Sequence, residues 1–392
     1  MRISRLSAEN FRNFQNLDLE LAPGKTVLFG GNAQGKTNLL EAIHLFATAK
    51  SLRAAHEREL IAWNVLGDEI PFTRLRGEVE KARGRIQMEV VVQLARPQGA
   101  DGAAGDGEAG GHLQKRVRVN GVPRRASTLV GEMTAVLFAP QDIELVHGSP
   151  SSRRRYLDLT LSQVDRPLFR QLQRYEKVLA QRNYLLKAIR EGKAGFDEIG
   201  FWDKELIEAG TFIVEKRREA MAALGKLSAE VHRDLAGGEE MEVRYAPSVA
   251  AVMSEEDVSG AFRTALEAAR EKERYQGMSL VGPHRDDFQF LSAARDLGTY
   301  GSRGQQRTAA LALKLAQAQY MTDLTGEQPV LLLDDAFSEL DGARRSYMLS
   351  WVAGWEQSLL TTAEPERVDE RFRSGATMLE VAEGRVRRPV TP

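Results

Sequence analysis

The chain has 392 residues, 42% apolar and 28% charged, with a formal net charge of −1. That length allows two or three domains around a large core, and no apolar run approaches the ~18 residues of a membrane span. The near-neutral balance gives no whole-chain support for a polyanion partner, and the absence of cysteine removes disulfides, thiol chemistry and thiolate zinc sites. The six His show no metal-ligand spacing, and Met1-Arg2-Ile3-Ser4-Arg5 lacks a secretory apolar core. The expectation is a cytoplasmic protein with no membrane segment.

In chain order, Leu17-Asp18-Leu19-Glu20-Leu21 alternates as a half-buried strand, and Pro23-Gly24 turns the chain. Thr26-Val27-Leu28-Phe29 reads as a buried parallel strand. Gly30-Gly31-Asn32-Ala33-Gln34-Gly35-Lys36-Thr37 then fits the phosphate-cradling pattern G-x-x-x-x-G-K-[ST], and Leu39, Leu40, Ile43 and Ala47 recur at helical spacing. Gly30 and Gly35 let the backbone curl so that its N–H groups face phosphate oxygens. The helix N-terminus adds its dipole, Lys36 can reach the β- and γ-phosphates, and Thr37 can offer its hydroxyl to Mg²⁺. The expected ligand is ATP.

Strands are expected around Thr73–Val79 and Ile86–Leu94, and Pro97–Gly111 reads as a flexible insert. Lys115–Val119 and Val122 flank the hairpin signal Asn120-Gly121, and Thr134–Phe138 is another strand. After Pro150, Ser151 or Ser152 can cap a helix carrying Arg153-Arg154-Arg155. Leu168, Leu172, Tyr175, Leu179, Leu186 and Ile189 follow a 4-3 spacing broken at Arg182. A second long helix is expected from about Trp202 to Leu235, making an antiparallel helical hairpin. Met241–Tyr245 returns to strand, Glu255–Glu273 to helix, and Phe288 and Phe290 alternate as a strand. Tyr300-Gly301-Ser302-Arg303-Gly304-Gln305-Gln306 opens a helix, with Ser302 and Gln305 at capping-box spacing. Ser358–Thr362 is a strand, Met378–Val381 and Arg385-Val386 a last hairpin, and Arg387–Pro392 a loose tail.

Leu331-Leu332-Leu333 buries a strand that ends in two carboxylates, Asp334 and Asp335, where open α/β sheets bind ligands. Asp334 can support Mg²⁺, and Asp335 can orient or deprotonate the attacking water. The alternative is a pair of solvated loop carboxylates. Ser302–Gln306 is open to two readings, a plain capped helix start or a second anion site.

Together these segments resemble the RecF family, among the ATP-binding-cassette (ABC) head proteins related to Rad50 and the SMC proteins. The segments are GGNAQGKTNLLEAI, Lys50–Trp63, LFAPQDIELVHGSPSSRRRYLD, GPHRDDF, YGSRGQQRTAALALKLA and LLLDDAFSELD. The resemblance implies an α/β fold, an ABC-type ATPase head with mixed sheets, split between residues 1–140 and 275–392, with a helical lobe inserted at 141–274. It implies that Ser302, Arg303, Gly304 and Gln305 form a signature that contacts ATP held by the other subunit of an ATP-dependent homodimer. Ser338–Asp341 would lie across that interface, with Glu339 the next candidate base after Asp335. Gln141 resembles a Mg²⁺-sensing glutamine, Arg53 an arginine loop near nucleotide or DNA, and Thr361-Thr362 stands where many such ATPases carry a histidine switch. The implied role is recombinational DNA repair: sequence-independent binding of duplex DNA near single-strand gaps, and loading of RecA with RecR and RecO. Effects on replication and the SOS response are implied too, with slow, DNA-stimulated ATP hydrolysis as a switch.

The residues are compatible with a DNA partner. Arg153, Arg154 and Arg155, with Arg124-Arg125 and Arg116/Arg118, can meet phosphates, although such a run is also an ordinary solvated face. A transporter ATPase or another ABC-type subunit not acting on DNA is the alternative. The long separation of Thr37 from Ser302 argues against it. About 130 intervening residues are too few for a long SMC or Rad50 arm, and a small-molecule kinase would not need Ser302–Gln306.

Overall fold

The computed structural model describes residues 1–51, 53–54, 56–95, 112–249, 253, 257–337 and 340–388. The insert expected at 97–111, Ser338, Glu339 and the end of the tail lie outside the described residues. The chain divides into two compact units, 1–140 with 321–392, and 141–320.

The first unit holds two six-stranded sheets. One is antiparallel, in the order β2-β1-β4-β5-β6-β7. Its strands are β1 (Arg2–Phe11), β2 (Phe14–Glu20), β4 (Phe72–Lys81), β5 (Gly84–Ala95), β6 (His112–Val119) and β7 (Val122–Arg124). The Asn120-Gly121 turn between β6 and β7 has positive φ at both residues (51° and 75°), as a tight hairpin requires. The sequence reading passed over β1. A register shift between Ile3 and Arg5 interrupts its alternation, so the period-two signal is lost even though Ile3, Leu6, Ala8 and Phe11 are buried.

The second sheet runs β15-β14-β3-β13-β12-β8. Its strands are β3 (Gly24–Phe29), β8 (Ala135–Phe138), β12 (Val330–Asp334), β13 (Gln357–Thr362), β14 (Ala376–Ala382) and β15 (Arg385–Arg387). All pairs are parallel except β14–β15. Covered faces explain why β12 reads as an unbroken apolar run up to Asp334. Helix α1 (Lys36–Thr48) touches β4 of the first sheet and β8, β12 and β13 of the second, so Leu39–Thr48 is buried throughout. Helices α9 (Gly342–Ala353) and α10 (Glu370–Ser374) complete this unit. Asp341 caps α9, accepting from Arg344 N at 2.9 Å.

The second unit carries α2 (Glu144–His147), α3 (Pro150–Ser162), α4 (Arg166–Arg190), α5 (Ile199–Leu235) and α6 (Val258–Gln276). It also holds the sheet β11-β10-β9, from β9 (Glu242–Ala246), β10 (Asp287–Ser292) and β11 (Arg295–Asp296). The short α7 (Leu297–Tyr300) leads to α8 (Arg303–Thr325). The start signals are local: Asp165 accepts from Leu168 N (2.8 Å) and Asp257 from Gly260 N (2.8 Å). The break in the 4-3 spacing has a tertiary cause. Arg182 is buried between helices, donating to Asp203 (2.8 Å), Glu273 (2.6 Å) and Ser279 (2.7 Å). A boundary at 275 is not where the units part. β9 pairs with β10 from Glu242↔Leu291 to Ala246↔Asp287, which holds the GPHRDDF segment with the lobe and moves the division to residue 320.

Candidate nucleotide site

The site forms where β3, β12 and β13 end side by side. In the ladder, Asp334 lies opposite Thr361, and Thr361 opposite Leu28. The loop between β3 and α1 takes its shape from two glycines. Gly30 has φ 148°, and a Cβ there would stand 2.2 Å from the Val381 carbonyl oxygen. Gly35 has φ 115°, and a Cβ there would strike the Asn13 amide at 2.5 Å. Only glycine fits either place. Asn13 Nδ2 donates to the Gln34 carbonyl (2.8 Å), and Gln34 Oε1 accepts from Glu383 N in the β14–β15 turn (2.7 Å). The loop is therefore held from two neighbouring hairpins.

Helix α1 begins at Gly35 with no side-chain cap, whereas α3, α4, α6 and α9 each carry one. Its first-turn N–H groups are left for an anion. Lys36 Nζ lies against the loop, donating to the carbonyls of Gly30 and Gly31 at 2.7 Å each. Burial lowers the pKa of this ammonium from its ordinary value, and the nearby carboxylates of Asp335 and Asp334 oppose that shift. Thr37 Oγ1 donates to Asp334 Oδ1 at 2.8 Å, and Thr361 Oγ1 donates to the same oxygen at 2.9 Å. Thr361 Oγ1 also accepts from Asp335 N at 2.9 Å, and Asp335 holds a positive φ of 50°. So Thr361 binds both carboxylate residues.

Two contributors escaped the sequence reading. Arg12 makes a bidentate pair with buried Glu41 of α1 (2.8 and 2.9 Å). Glu41 also accepts from Ser51 Oγ, which takes the N–H groups of Arg53 (3.0 Å) and Ala54 (2.8 Å). The loop of Arg53 is thus tied to α1, and Arg53 Nη1 donates to Asn38 Oδ1 at 3.3 Å. A glutamate inside an otherwise apolar helix stretch was the available signal.

The second unit holds the remaining candidates. Ser302 and Gln305 form the reciprocal cap of α8: Gln305 N donates to Ser302 Oγ (3.2 Å), and Ser302 N donates to Gln305 Oε1 (3.0 Å). Ser302, Arg303 and Gly304 are exposed, and Gln141 is exposed on the turn Pro140–Ile143. The three arginines expected at a DNA surface differ in burial. Arg153 is buried and makes a bidentate pair with Asp287 (2.5 and 2.8 Å), with a third bond to the Gly148 carbonyl (2.8 Å). It is a structural cation rather than a DNA contact, because successive residues of a helix face different ways and this one faces β10. Arg154 is half-buried and donates to the Asp286 carbonyl (2.8 Å), while Arg155 is exposed. Glu339 lies outside the described residues.

A glycine loop on a parallel sheet, an uncapped helix behind it and a hydroxyl–carboxylate pair at the strand ends define an ABC-type nucleotide-binding head. A family model described as the RecF/RecN/SMC N terminal domain matches residues 2–373. The chain is 41% identical to the DNA replication and repair protein RecF of Herpetosiphon aurantiacus over 390 residues, 98% of this chain and 99% of that protein. It is 39% identical to the protein of the same name from Halalkalibacterium halodurans, covering 99% of this chain and 100% of that one. A solved structure of "the recombination mediator protein RecF-ATPrS in RecFOR pathway" superposes with TM-score 0.86 at 32% identity, over 99% of this chain and 98% of that chain. The chain belongs to the RecF family. An Smc head domain from Pyrococcus furiosus, 14% identical with TM-score 0.52 over 98% of this chain and 95% of that one, shares the fold. Among the described residues, no helix is long and apolar enough to cross a membrane.

Proposed function

We propose that the chain is a weak ATPase that uses ATP to switch its grip on DNA during recombinational repair. The observation that carries the reading is the Thr37–Asp334 pair beside the loop Gly30–Thr37. Thr37 Oγ1 donates to Asp334 Oδ1 at 2.8 Å, so a hydroxyl and a carboxylate oxygen meet at the end of the loop and are the two groups that would hold Mg²⁺ there. Among the described residues no three His, Cys, Asp or Glu converge as a metal cage. Mg²⁺ in ATPases does not need one, since phosphate and water supply the other ligands. When bound, Mg²⁺ would neutralise charge on the phosphates.

In this reading Gly30–Thr37 cradle the phosphates, Lys36 exchanges its loop carbonyls for phosphate oxygens, and Thr37 and Asp334 hold Mg²⁺, with Gln141 as its sensor. Asp335 is the general base and Thr361 orients both carboxylates. Ser302, Arg303, Gly304 and Gln305 of a second copy close on the γ-phosphate, giving an ATP-dependent homodimer. The DNA partner is a duplex near a single-strand gap, held without base reading, and RecR and RecO are the protein partners in loading RecA. A role in replication and the SOS response follows from the same place in repair, with a cytoplasmic location.

The test is DNA binding to gapped duplex by anisotropy, with no nucleotide, ADP, ATP and ATPγS, together with ATPase assays with and without that DNA. Tighter binding with ATP than with ADP, and stimulation of hydrolysis by DNA, are expected. Equal DNA affinity in all four states would remove the switch.

A further inference from the structure

Glu239 holds no place in the site as read so far, yet it meets the start of α8 directly. Helix α5 ends at Leu235, with Ala236 N bonded to the His232 carbonyl (2.8 Å) and Gly238 N to that of Arg233 (2.8 Å). Gly237 and Gly238, at φ 64° and 98°, turn the chain back. His232 Nδ1 donates to the Glu239 carbonyl at 3.1 Å, so the backbone of Glu239 is fixed from inside α5. Its carboxylate then receives two donors on one oxygen. Gln305 Nε2 donates to Oε1 at 2.9 Å, and Ser292 Oγ, at the end of β10, donates to the same Oε1 at 3.1 Å. The other end of the Gln305 amide accepts from Ser302 N at 3.0 Å.

We infer that Glu239 is a positioning residue for the Ser302–Gln305 segment, fixing the Gln305 amide so that Ser302 is presented to the nucleotide of a second copy. This rests on the reading of Ser302–Gln305 given above. The amide of Gln305 can turn over at little cost in its own rotamer energy. A charged acceptor on the Nε2 side keeps Oε1 on Ser302 N. The 37-residue α5 and the start of α8 are thereby joined through one side chain. Both donors share a single oxygen, so a glutamine carbonyl can replace the carboxylate while an alanine cannot.

The experiment is sedimentation velocity of the full chain with Mg²⁺ and ATPγS, for wild type, Glu239→Ala, Glu239→Gln, Gln305→Ala and the double alanine variant. Affinity for a fluorescent ATP analogue and thermal melting accompany each. Losing one hydrogen bond in each of two copies weakens dimerisation about 100-fold in Glu239→Ala, with Glu239→Gln, which keeps an acceptor oxygen, within about threefold of wild type. Affinity of single heads for the analogue stays at the wild-type value in all variants, and the double variant is no weaker than Gln305→Ala. Wild-type dimerisation by Glu239→Ala, a glutamine variant as defective as the alanine one, or additive losses in the double variant would overturn the inference. A wild-type chain that stays monomeric removes the reading of Ser302–Gln305 itself, and the inference with it.

Discussion

Thr361→Val removes one hydroxyl from the centre of the site and leaves its volume unchanged. Thr361 is 1% exposed, so water does not readily take its place. The substitution deletes a bond to the Asp334 carboxylate (2.9 Å) and removes the acceptor of Asp335 N (2.9 Å). A bond to a charged acceptor contributes about 1.5–3 kcal/mol and a neutral one about 0.5–1.5 kcal/mol. Asp334 keeps Thr37 and Asp335 is exposed, so the sum lies at its lower end, about 2 kcal/mol. For a unit of this size that is a fall in Tm of about 4–8 °C. The second effect falls on the metal. Residues that orient a ligand change metal affinity by about 10–100-fold, so the Mg²⁺ concentration giving half-maximal ATP binding should rise about tenfold. Differential scanning calorimetry and Mg²⁺ titrations of ATP binding measure the two effects. If Thr361→Val kept both the wild-type Tm and the wild-type Mg²⁺ midpoint, Thr361 would not be the residue that orders Asp334 and Asp335.

Lys36→Ala should abolish tight ATP binding by removing the charge-assisted contact to the β- and γ-phosphates; wild-type affinity in equilibrium binding would sink the assignment of the loop. Ser302→Arg should cost about 1 kcal/mol through loss of the α8 cap, leave single-head ATP affinity intact, and prevent ATP-dependent dimerisation in sedimentation velocity. Arg153→Ala should destabilise the chain by about 2–4 kcal/mol in urea unfolding, because Asp287 is left without its partner. Arg155→Glu should lower the salt slope of duplex binding by about 1; an unchanged slope would return Arg155 to ordinary solvated surface. His284, which shares a hydrogen bond with Tyr175 (2.7 Å), is pushed down by burial to about 4 from 6.5. Between those values the unfolded chain binds a proton that the folded chain refuses. Stability therefore falls as pH drops from 6.5 to 4, by up to about 3 kcal/mol. His284→Gln should flatten the urea midpoint in that window relative to wild type, and an unaltered slope would refute the neutral buried imidazole.

The strand, glycine turn and helix around Gly30–Thr37 were legible because everything they need is contiguous. The apolar run Thr26–Phe29, glycines at 30 and 35, and apolar spacing from Leu39 report a strand, a turn and a helix within one short segment. Asp334 was legible for the same reason, as the first carboxylate after Leu331–Leu333. The Asn120-Gly121 and Glu383-Gly384 turns and the Ser302–Gln305 cap are also local devices whose residue types name their geometry. Tertiary structure decided what depends on partners far along the chain. The alternation of β1 is broken at Ile3–Arg5, and only pairing with β2 and β4 makes it a strand. Arg182 reads as a polar fault in an apolar stripe until Asp203 and Glu273 are brought to it from two other helices. Arg153, Arg154 and Arg155 are alike as letters. A helix rotates successive residues by about 100°, so Arg153 faces Asp287, 134 positions on, while Arg155 faces outward. Local conformational preference acts between neighbours and is written in the sequence. The pairing of a buried charge is settled only when the chain folds distant segments together, because isolated burial would cost more than any local preference returns.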